Sequence, residues 1–186
     1  MEKLILSSIL SGLLIGLGDV AYVSVESHIL GSFLFSLGLL TVVIQGSWLY
    51  TGKIGYAFSL KLVDLLVTLV FNLISIWALG YLFSITMGLD TSAIVEAKCS
   101  ETFWSALVRS IGCGMCMWIA VDGWKKFNNP LTIILPVMMF ILCGFDHCIA
   151  NCGYLGMSGV LWSWNLPVWI LGNSIGSLGL NYLAKK

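Results

Sequence analysis

Residues 144–153 read Gly144-Phe145-Asp146-His147-Cys148-Ile149-Ala150-Asn151-Cys152-Gly153, directly after the apolar run from Leu131 to Cys143. An acid, an imidazole and an amide are expensive to bury in an apolar medium. The bracketing glycines let the backbone leave helical geometry at little cost. The pattern predicts a hydrophobic helix interrupted near the middle of a membrane, where irregular backbone must line a cavity or be covered by protein. His147 then lies on a pathway or against a partner. The alternative is a histidine at a helix end, in the headgroup region.

The composition excludes an ordinary soluble protein. The 186 residues are 59% hydrophobic and 10% charged, whereas a soluble domain is roughly 25% charged. We therefore expect a multi-pass protein of the lipid bilayer, with residues 1–186 forming one transmembrane domain. The formal net charge is +0, so no nucleic-acid partner is expected. The apolar run after Met1-Glu2-Lys3 lacks the small-residue cleavage pattern of a signal peptide, and we interpret it as a first span. The six cysteines match no zinc spacing, so neither a metal nor a cofactor is expected.

Six stretches are candidates for membrane spans, since a helix needs about 20 apolar residues to cross a bilayer. The second candidate ends in the polar, glycine-flanked stretch 45–53, much as the fifth ends in the opening motif, so both are predicted to be broken helices. Gly88–Glu101, Asp122–Asn129 and Tyr154–Leu166 are predicted to be connections. The candidate spans are Leu4–Val25, Ile29–Ile44, Leu62–Ile85, Phe103–Val121, Leu131–Cys143 with the motif, and Pro167–Leu183.

The basic residues predict the orientation of these spans. Lys98 and Arg109 fall on one side, and the other seven basic residues fall on the opposite side, which should be cytoplasmic. Both termini are then cytoplasmic and Gly88–Glu101 is outside. Arg109, inside the fourth span, is expected to pair with an acid such as Glu101 or Asp19. The seven cytoplasmic cations are Lys3, Lys53, Lys61, Lys125, Lys126, Lys185 and Lys186.

The chain has a weak internal repeat. Residues 71–75 read Phe-Asn-Leu-Ile-Ser in the third span, and residues 172–176 read Gly-Asn-Ser-Ile-Gly in the sixth. Together with the two broken helices, this predicts two inverted repeats of three helices each. Transporters built on this plan have their site where the broken helices of the two repeats meet.

Four stretches of the sequence resemble the formate/nitrite transporter family, and the chain is identified as a short member of it. Leu49-Tyr50-Thr51-Gly52 is similar to the family's Leu-Phe-Thr-Gly loop. Gly144–Asn151 is similar to its Gly-Phe-Glu-His-Ser-(Val/Ile)-Ala-Asn motif. The other two stretches are Lys98 with Thr102, Phe103 and Ala106, and Leu166-Pro167-Val168 with Leu171-Gly172-Asn173. The chain departs from the family in having Asp146 before the histidine, Gly114 in place of an asparagine, and Asp19.

The resemblance implies an all-α membrane protein with six transmembrane helices, arranged as an aquaporin-like channel protomer. It further implies a homopentamer with one pore in each protomer, in the inner membrane of a bacterial cell. The implied function is passage of a small monovalent anion or its conjugate acid, such as formate, nitrite or hydrosulfide. The alternatives are a channel for a small neutral solute, a thiol oxidoreductase built on Cys113 and Cys116, and a non-conducting structural subunit.

The resemblance also implies roles for individual residues. His147 resembles the central pore histidine and should face Thr51; burial disfavours its charged form, and a neutral imidazole can donate to a passing anion. Lys98 would concentrate anions at the mouth, unless it is a solvated loop charge. The amides of Asn72, Asn151 and Asn173 are expected to hold broken-helix backbone rather than substrate. The remaining predicted pore residues are Leu49, Tyr50 and Phe145. Constrictions could come from Phe33, Phe35, Phe71 and Phe140, although lipid-facing or packing roles are the default for these rings.

Overall fold

The computed structural model describes residues 1–185, which form a bundle of helices. A 3₁₀ segment, Ile54–Ser59, directly continues the short helix α3. The α-helices are α1 (Glu2–Val23), α2 (His28–Ile44), α3 (Tyr50–Lys53), α4 (Leu62–Met87), α5 (Ser92–Cys99), α6 (Phe103–Phe127), α7 (Leu131–Leu142), α8 (Cys148–Met157) and α9 (Leu166–Ala184).

Three predicted connections are partly helical, which corrects the sequence interpretation. Gly88–Glu101 contains α5, whose Val95 is buried against the bundle. Asp122–Asn129 begins as the last turns of α6, which ends where Asn128 adopts a left-handed backbone at φ 46°. Tyr154–Leu166 begins inside α8, because that helix continues through Met157.

The helices form two sets with matching contacts. In the first set α1 packs against α2 and α4, and in the second α6 packs against α7 and α9. The sets interlock, because α8 packs against α4 while α3 and the 3₁₀ segment pack against α9. Glycines allow the closest approaches: a Cβ at Gly12 would lie 2.7 Å from the Asn72 carbonyl oxygen, and one at Gly114 would lie 2.2 Å from that of Asn173. Small residues at helix interfaces are typical of packing within membranes.

The outer surface of the bundle is apolar. Large side chains such as Leu6, Leu66, Ile119 and Leu135 are exposed on its long helices, and apolar surface on this scale marks contact with another apolar phase. By length and composition, three helices of the described chain could each cross a membrane, namely α1, α4 and α6. The apolar helices α2 and α7 are shorter, with 17 and 12 residues, because each stops at a break.

Candidate functional site

The site lies at two helix breaks that share the same backbone geometry, one after α2 and one after α7. Each begins with a glycine in left-handed conformation, Gly46 at φ 64° and Gly144 at φ 68°. Residues with side chains pay a steric penalty there that glycine avoids. The backbone N–H of the residue after each glycine donates to the carbonyl five residues earlier. The Ser47 N–H donates to the Val42 carbonyl at 3.0 Å, and the Phe145 N–H donates to the Phe140 carbonyl at 2.9 Å. This is the Schellman pattern that ends helices. The chain then re-enters helical geometry at α3 and α8.

The two breaks meet at Thr51 and His147, and the predicted contact between these residues is confirmed. Thr51 Oγ1 lies 2.9 Å from His147 Nε2, and both side chains are buried. His147 is also the N-cap of α8, where its Nδ1 accepts from the Ala150 N–H at 3.0 Å. Because Nδ1 is an acceptor, a neutral ring carries its proton on Nε2 and donates it to Thr51. The Thr51 hydroxyl hydrogen then remains available for a solute.

Asn72 and Asn173 hold the two breaks in equivalent ways. Asn72 Oδ1 accepts from the Tyr50 N–H at 2.8 Å, and its amide donates to the carbonyls of Ser8 and Trp48. The Tyr50 N–H and the Trp48 carbonyl belong to the break, which leaves them without backbone partners, whereas the Ser8 carbonyl lies within α1. The prediction that Asn72 is a structural amide is confirmed.

In the second break, Asn173 Oδ1 accepts from the Cys148 N–H at 2.9 Å. The Asn173 amide donates to the carbonyls of Ser110 and Asp146 at 2.8 and 2.7 Å. Asn151 likewise bonds within the protein, donating to Asp146 Oδ1 at 3.0 Å. The structural role predicted for Asn173 is therefore confirmed, whereas Asn151 bonds to a side chain and not to broken-helix backbone.

One cavity lies on the α8 side of the Thr51–His147 contact, and we call it the His147 cavity. Its volume is about 100 Å³. The Phe140 ring stacks on the His147 imidazole, with centroids 5.6 Å apart, and meets the Phe35 ring edge-on. The His147 imidazole therefore has the Phe140 ring on its face and Thr51 at its Nε2 edge. The lining includes Tyr22, Phe35, Lys98, Phe140, Phe145, His147, Asn151 and Tyr154.

A second cavity, the Lys53 cavity, lies on the side of the first break. Its volume is about 220 Å³, and Leu49 and Gly52, which flank the Tyr50–Thr51 pair, form part of its wall. Lys53 and Lys125 give it a positive rim, and Lys53 Nζ lies 5.1 Å from the centroid of the Trp48 ring. Thr51 belongs to the segment that borders the Lys53 cavity, and His147 belongs to the segment that borders the His147 cavity. The Thr51–His147 contact joins these two segments.

A group of four charged residues includes Lys98, which lines the His147 cavity. Lys98 Nζ lies 2.6 Å from Asp146 Oδ1, and Arg109 Nη1 lies 3.1 Å from Glu101 Oε1. The predicted pairing of Arg109 with an acid is confirmed for Glu101. Burial, and next the negative charge of Asp146, raises the pKa of the Glu101 carboxyl to about 7, although Arg109 and Lys98 act in the opposite direction. Lys98 is not a solvated loop residue, because its side chain is 16% exposed and belongs to α5.

Packing explains one departure from the family pattern, Gly114, whereas nothing in the structure explains the acid at position 19. Gly114 lies against the backbone of Asn173, where an asparagine side chain would have no room. Asp19 is fully buried in α1 against Gly153, whose missing Cβ would come 2.2 Å from Asp19 Oδ2. The Tyr154 phenol lies close to this carboxyl, but neither oxygen has a donor in hydrogen-bond geometry within residues 1–185.

The structure brings most of the predicted site residues together. His147, Lys98, Asn151 and Phe145 line the His147 cavity, whereas Leu49 lines the Lys53 cavity. Tyr50 lines neither; its hydroxyl lies 2.9 Å from Ser174 Oγ and its amide bonds to Asn72.

The sequence interpretation missed Tyr22, Tyr154 and the approach of Glu101 to Asp146. For Tyr154 a signal was present, because residues 147, 150, 151 and 154 share one helical face. No group of His, Cys, Asp or Glu in the described chain could hold a metal ion.

The fold and the site define an all-helical membrane protein whose two broken helices meet at a buried histidine and threonine. A family model described as formate/nitrite transporter matches residues 1–185. The chain belongs to the formate/nitrite transporter family.

Individual relatives agree with this assignment. The formate channel BtFdhC of Bacillus thuringiensis is 30% identical over 183 residues, with 82% of this chain and 70% of that protein covered. The formate channel FocB of Escherichia coli (strain K12) is 24% identical over 172 residues, with 76% and 61% covered. A solved pentameric formate channel with formate bound is 26% identical, with a TM-score of 0.83 and with 99% of this chain and 96% of that chain covered.

The chain spans between 55% and 70% of the length of the first curated relatives it matches.

Family membership excludes one of the alternatives. The family consists of channels and not of enzymes, so the thiol oxidoreductase hypothesis is wrong. Cys113 and Cys116 are buried, unpaired thiols in α6, and small buried cysteines are common packing residues.

Proposed function

We propose that this chain is a channel protomer that passes a small monovalent anion, or its conjugate acid, between the Lys53 cavity and the His147 cavity. The observation that carries the proposal is the buried contact of Thr51 Oγ1 with His147 Nε2 at 2.9 Å. Its hydrogen-bonding groups stand where the two broken helices meet. Formate is the first solute to test, because the names of several relatives and of a solved structure specify it.

The proposed mechanism begins with attraction of the anion by the cations of the His147 cavity, Lys98 above all. The anion then meets the Phe35 and Phe140 rings, which strip its water. Loss of water raises the pKa of a carboxylic acid solute and favours uptake of a proton. At the centre the Thr51 hydroxyl donates to the solute while His147 Nε2–H holds the Thr51 oxygen. Lys53 offers a positive exit on the far side.

The proposed architecture is one transmembrane domain of residues 1–186, with six crossings in two inverted repeats. The matched breaks at Gly46 and Gly144 and the matched bonds of Asn72 and Asn173 support it. In this arrangement α2 with α3 forms one broken helix and α7 with α8 forms the other.

The proposed assembly is a homopentamer in the inner membrane of a bacterium, with both termini in the cytoplasm. The pentameric solved relative and the bacterial relatives support this proposal. The distribution of the basic residues along the chain supports the orientation.

A neutral-solute channel is the second candidate. A second ring proton on His147 would sit on Nδ1 and point at the Ala150 N–H, which already occupies that position. The geometry therefore favours a neutral imidazole at the centre, and a hydrogen-bonding centre without charge serves neutral solutes equally well.

Flux into proteoliposomes tests the proposal, with formate, acetate, nitrite, hydrosulfide and a neutral amide as solutes. Thr51→Val keeps the shape of the side chain but removes the hydroxyl, so formate flux should fall several-fold. Thr86→Val is the matched control, because the Thr86 hydroxyl is exposed and bonds only within α4. Wild-type formate flux equal to that of empty liposomes would refute the proposed function. Flux of the amide alone would establish the second candidate.

A further inference from the structure

The carboxyl groups of Glu101 and Asp146 approach each other behind Lys98, which lines the His147 cavity. Glu101 lies between α5 and α6, and Asp146 lies in the break that precedes α8. Each has one oxygen bonded to a cation, Glu101 Oε1 to Arg109 and Asp146 Oδ1 to Lys98. The other two oxygens, Glu101 Oε2 and Asp146 Oδ2, are buried and have no donor among the described residues.

A proton held between the two carboxyl groups supplies a donor that these buried oxygens otherwise lack. The two carboxyl groups are close enough to hydrogen-bond to each other when one of them is protonated. Two carboxylates within hydrogen-bond reach of each other repel. A buried carboxylate oxygen without a donor also lowers the stability of the folded protein. The charged and polar neighbours of the pair are Lys98 on α5, Arg109 on α6 and the Asn151 amide on α8, and the titratable Cys113 thiol of α6 also faces Asp146.

We propose that Glu101 and Asp146 share one proton, and that this pair is a proton-binding site which sets the charge that an entering anion meets. The proposal deepens the proposed function and rests on it. With the shared proton, Lys98 and Arg109 face a single negative charge, and the cluster carries one net positive charge. Without the proton the four groups are neutral as a set.

The proton and the anion therefore bind cooperatively. A bound proton strengthens attraction of the anion, and by reciprocity a bound anion strengthens proton binding. Water can deliver the proton to Glu101, whose side chain is 8% exposed, while Asp146 is fully buried behind it. The raised pKa of Glu101, about 7, places the exchange of this proton near neutral pH.

Initial formate uptake into proteoliposomes, measured as external pH is varied on either side of about 7, tests the proposal. Lowering the external pH from above to below about 7 should raise wild-type formate uptake by about fivefold or more, because the carboxyl pair takes up its proton. Glu101→Gln replaces the carboxyl with an amide that can donate to Asp146, so the cluster stays positive. This variant should hold the acid-side rate at every pH. Glu96→Gln removes an exposed carboxylate of α5 and should keep the wild-type dependence of uptake on pH. Formate itself is protonated equally in every assay at a given pH, so the difference between the two variants reports the protein alone.

A second readout separates failure of this inference from failure of the proposed function. Infrared difference spectra of the wild-type protein should show a carboxylic acid C=O band that is lost as pH rises through about 7 and is absent from Glu101→Gln. If wild-type flux is absent, the proposed function fails and the infrared band alone decides the inference. An unchanged pH step in Glu101→Gln, or the same titrating band in both proteins, overturns the shared proton.

Discussion

Asn173→Ala should be among the most damaging single substitutions in this chain. It removes the partner of the Cys148 N–H and of the Asp146 carbonyl, both of which are buried in the second break. Each buried backbone group left without a partner costs about 1–3 kcal/mol, so the two together cost about 2–6 kcal/mol. The Ser110 carbonyl is not counted, because it lies within α6, where backbone bonding is available.

Thermal or denaturant unfolding of the purified oligomer in detergent measures this cost. Asn181→Ala is the matched control, because Asn181 lies on the same helix and its side chain makes no hydrogen bond within residues 1–185. Asn72→Ala should cost a similar amount, since Asn72 holds the first break in the same way. A loss for Asn173→Ala within about 0.5 kcal/mol, as for an ordinary surface substitution, would refute the account of the breaks.

Three further predictions concern orientation, charge and pH. A cysteine-accessibility scan should label Gly88–Glu101 from outside and Asp122–Asn129 from inside; the reverse pattern would contradict the proposed orientation. Lys98→Ala leaves Asp146 buried without its cation, at a cost of about 3–5 kcal/mol, and adding Asp146→Asn should restore most of the melting temperature. Because the pKa of Glu101 is raised from 4.5 to about 7, its protonation favours folding. The contribution of Glu101 to the free energy of unfolding should therefore be largest below about pH 4.5 and should be lost as pH rises through about 7. Wild-type protein should lose stability over this range relative to Glu101→Gln, and parallel profiles would contradict the burial of this carboxyl.

The break at the centre of the site could be predicted from sequence because its determinants are local, namely the glycines of 144–153. The contact of His147 with Thr51 could be expected from the resemblance of their two motifs to the family. The paired roles of Asn72 and Asn173 could be predicted from the short repeat that contains them. Local backbone requirements of this kind restrict which residue types are possible, so they remain visible in a single chain.

The charged cluster could not be predicted because its members are distant in sequence. Glu101 and Asp146 meet only through the packing of the α5–α6 turn against the second break. Lys98 looked like a loop lysine because α5 has only eight residues and a weak apolar pattern. The extension of α6 did leave a signal, the i,i+4 pair of Asp122 and Lys126 at 2.7 Å, which favours helix.

The most direct test of the channel account is formate flux through His147→Phe. The phenylalanine ring keeps an aromatic side chain beside Phe140 but removes the nitrogen that bonds to Thr51. Flux is measured in proteoliposomes at equal protein content, after size exclusion shows the same oligomer for both proteins. The account predicts wild-type flux well above that of protein-free liposomes and His147→Phe flux close to it. Equal formate flux through the two proteins would contradict a pathway that passes between Thr51 and His147.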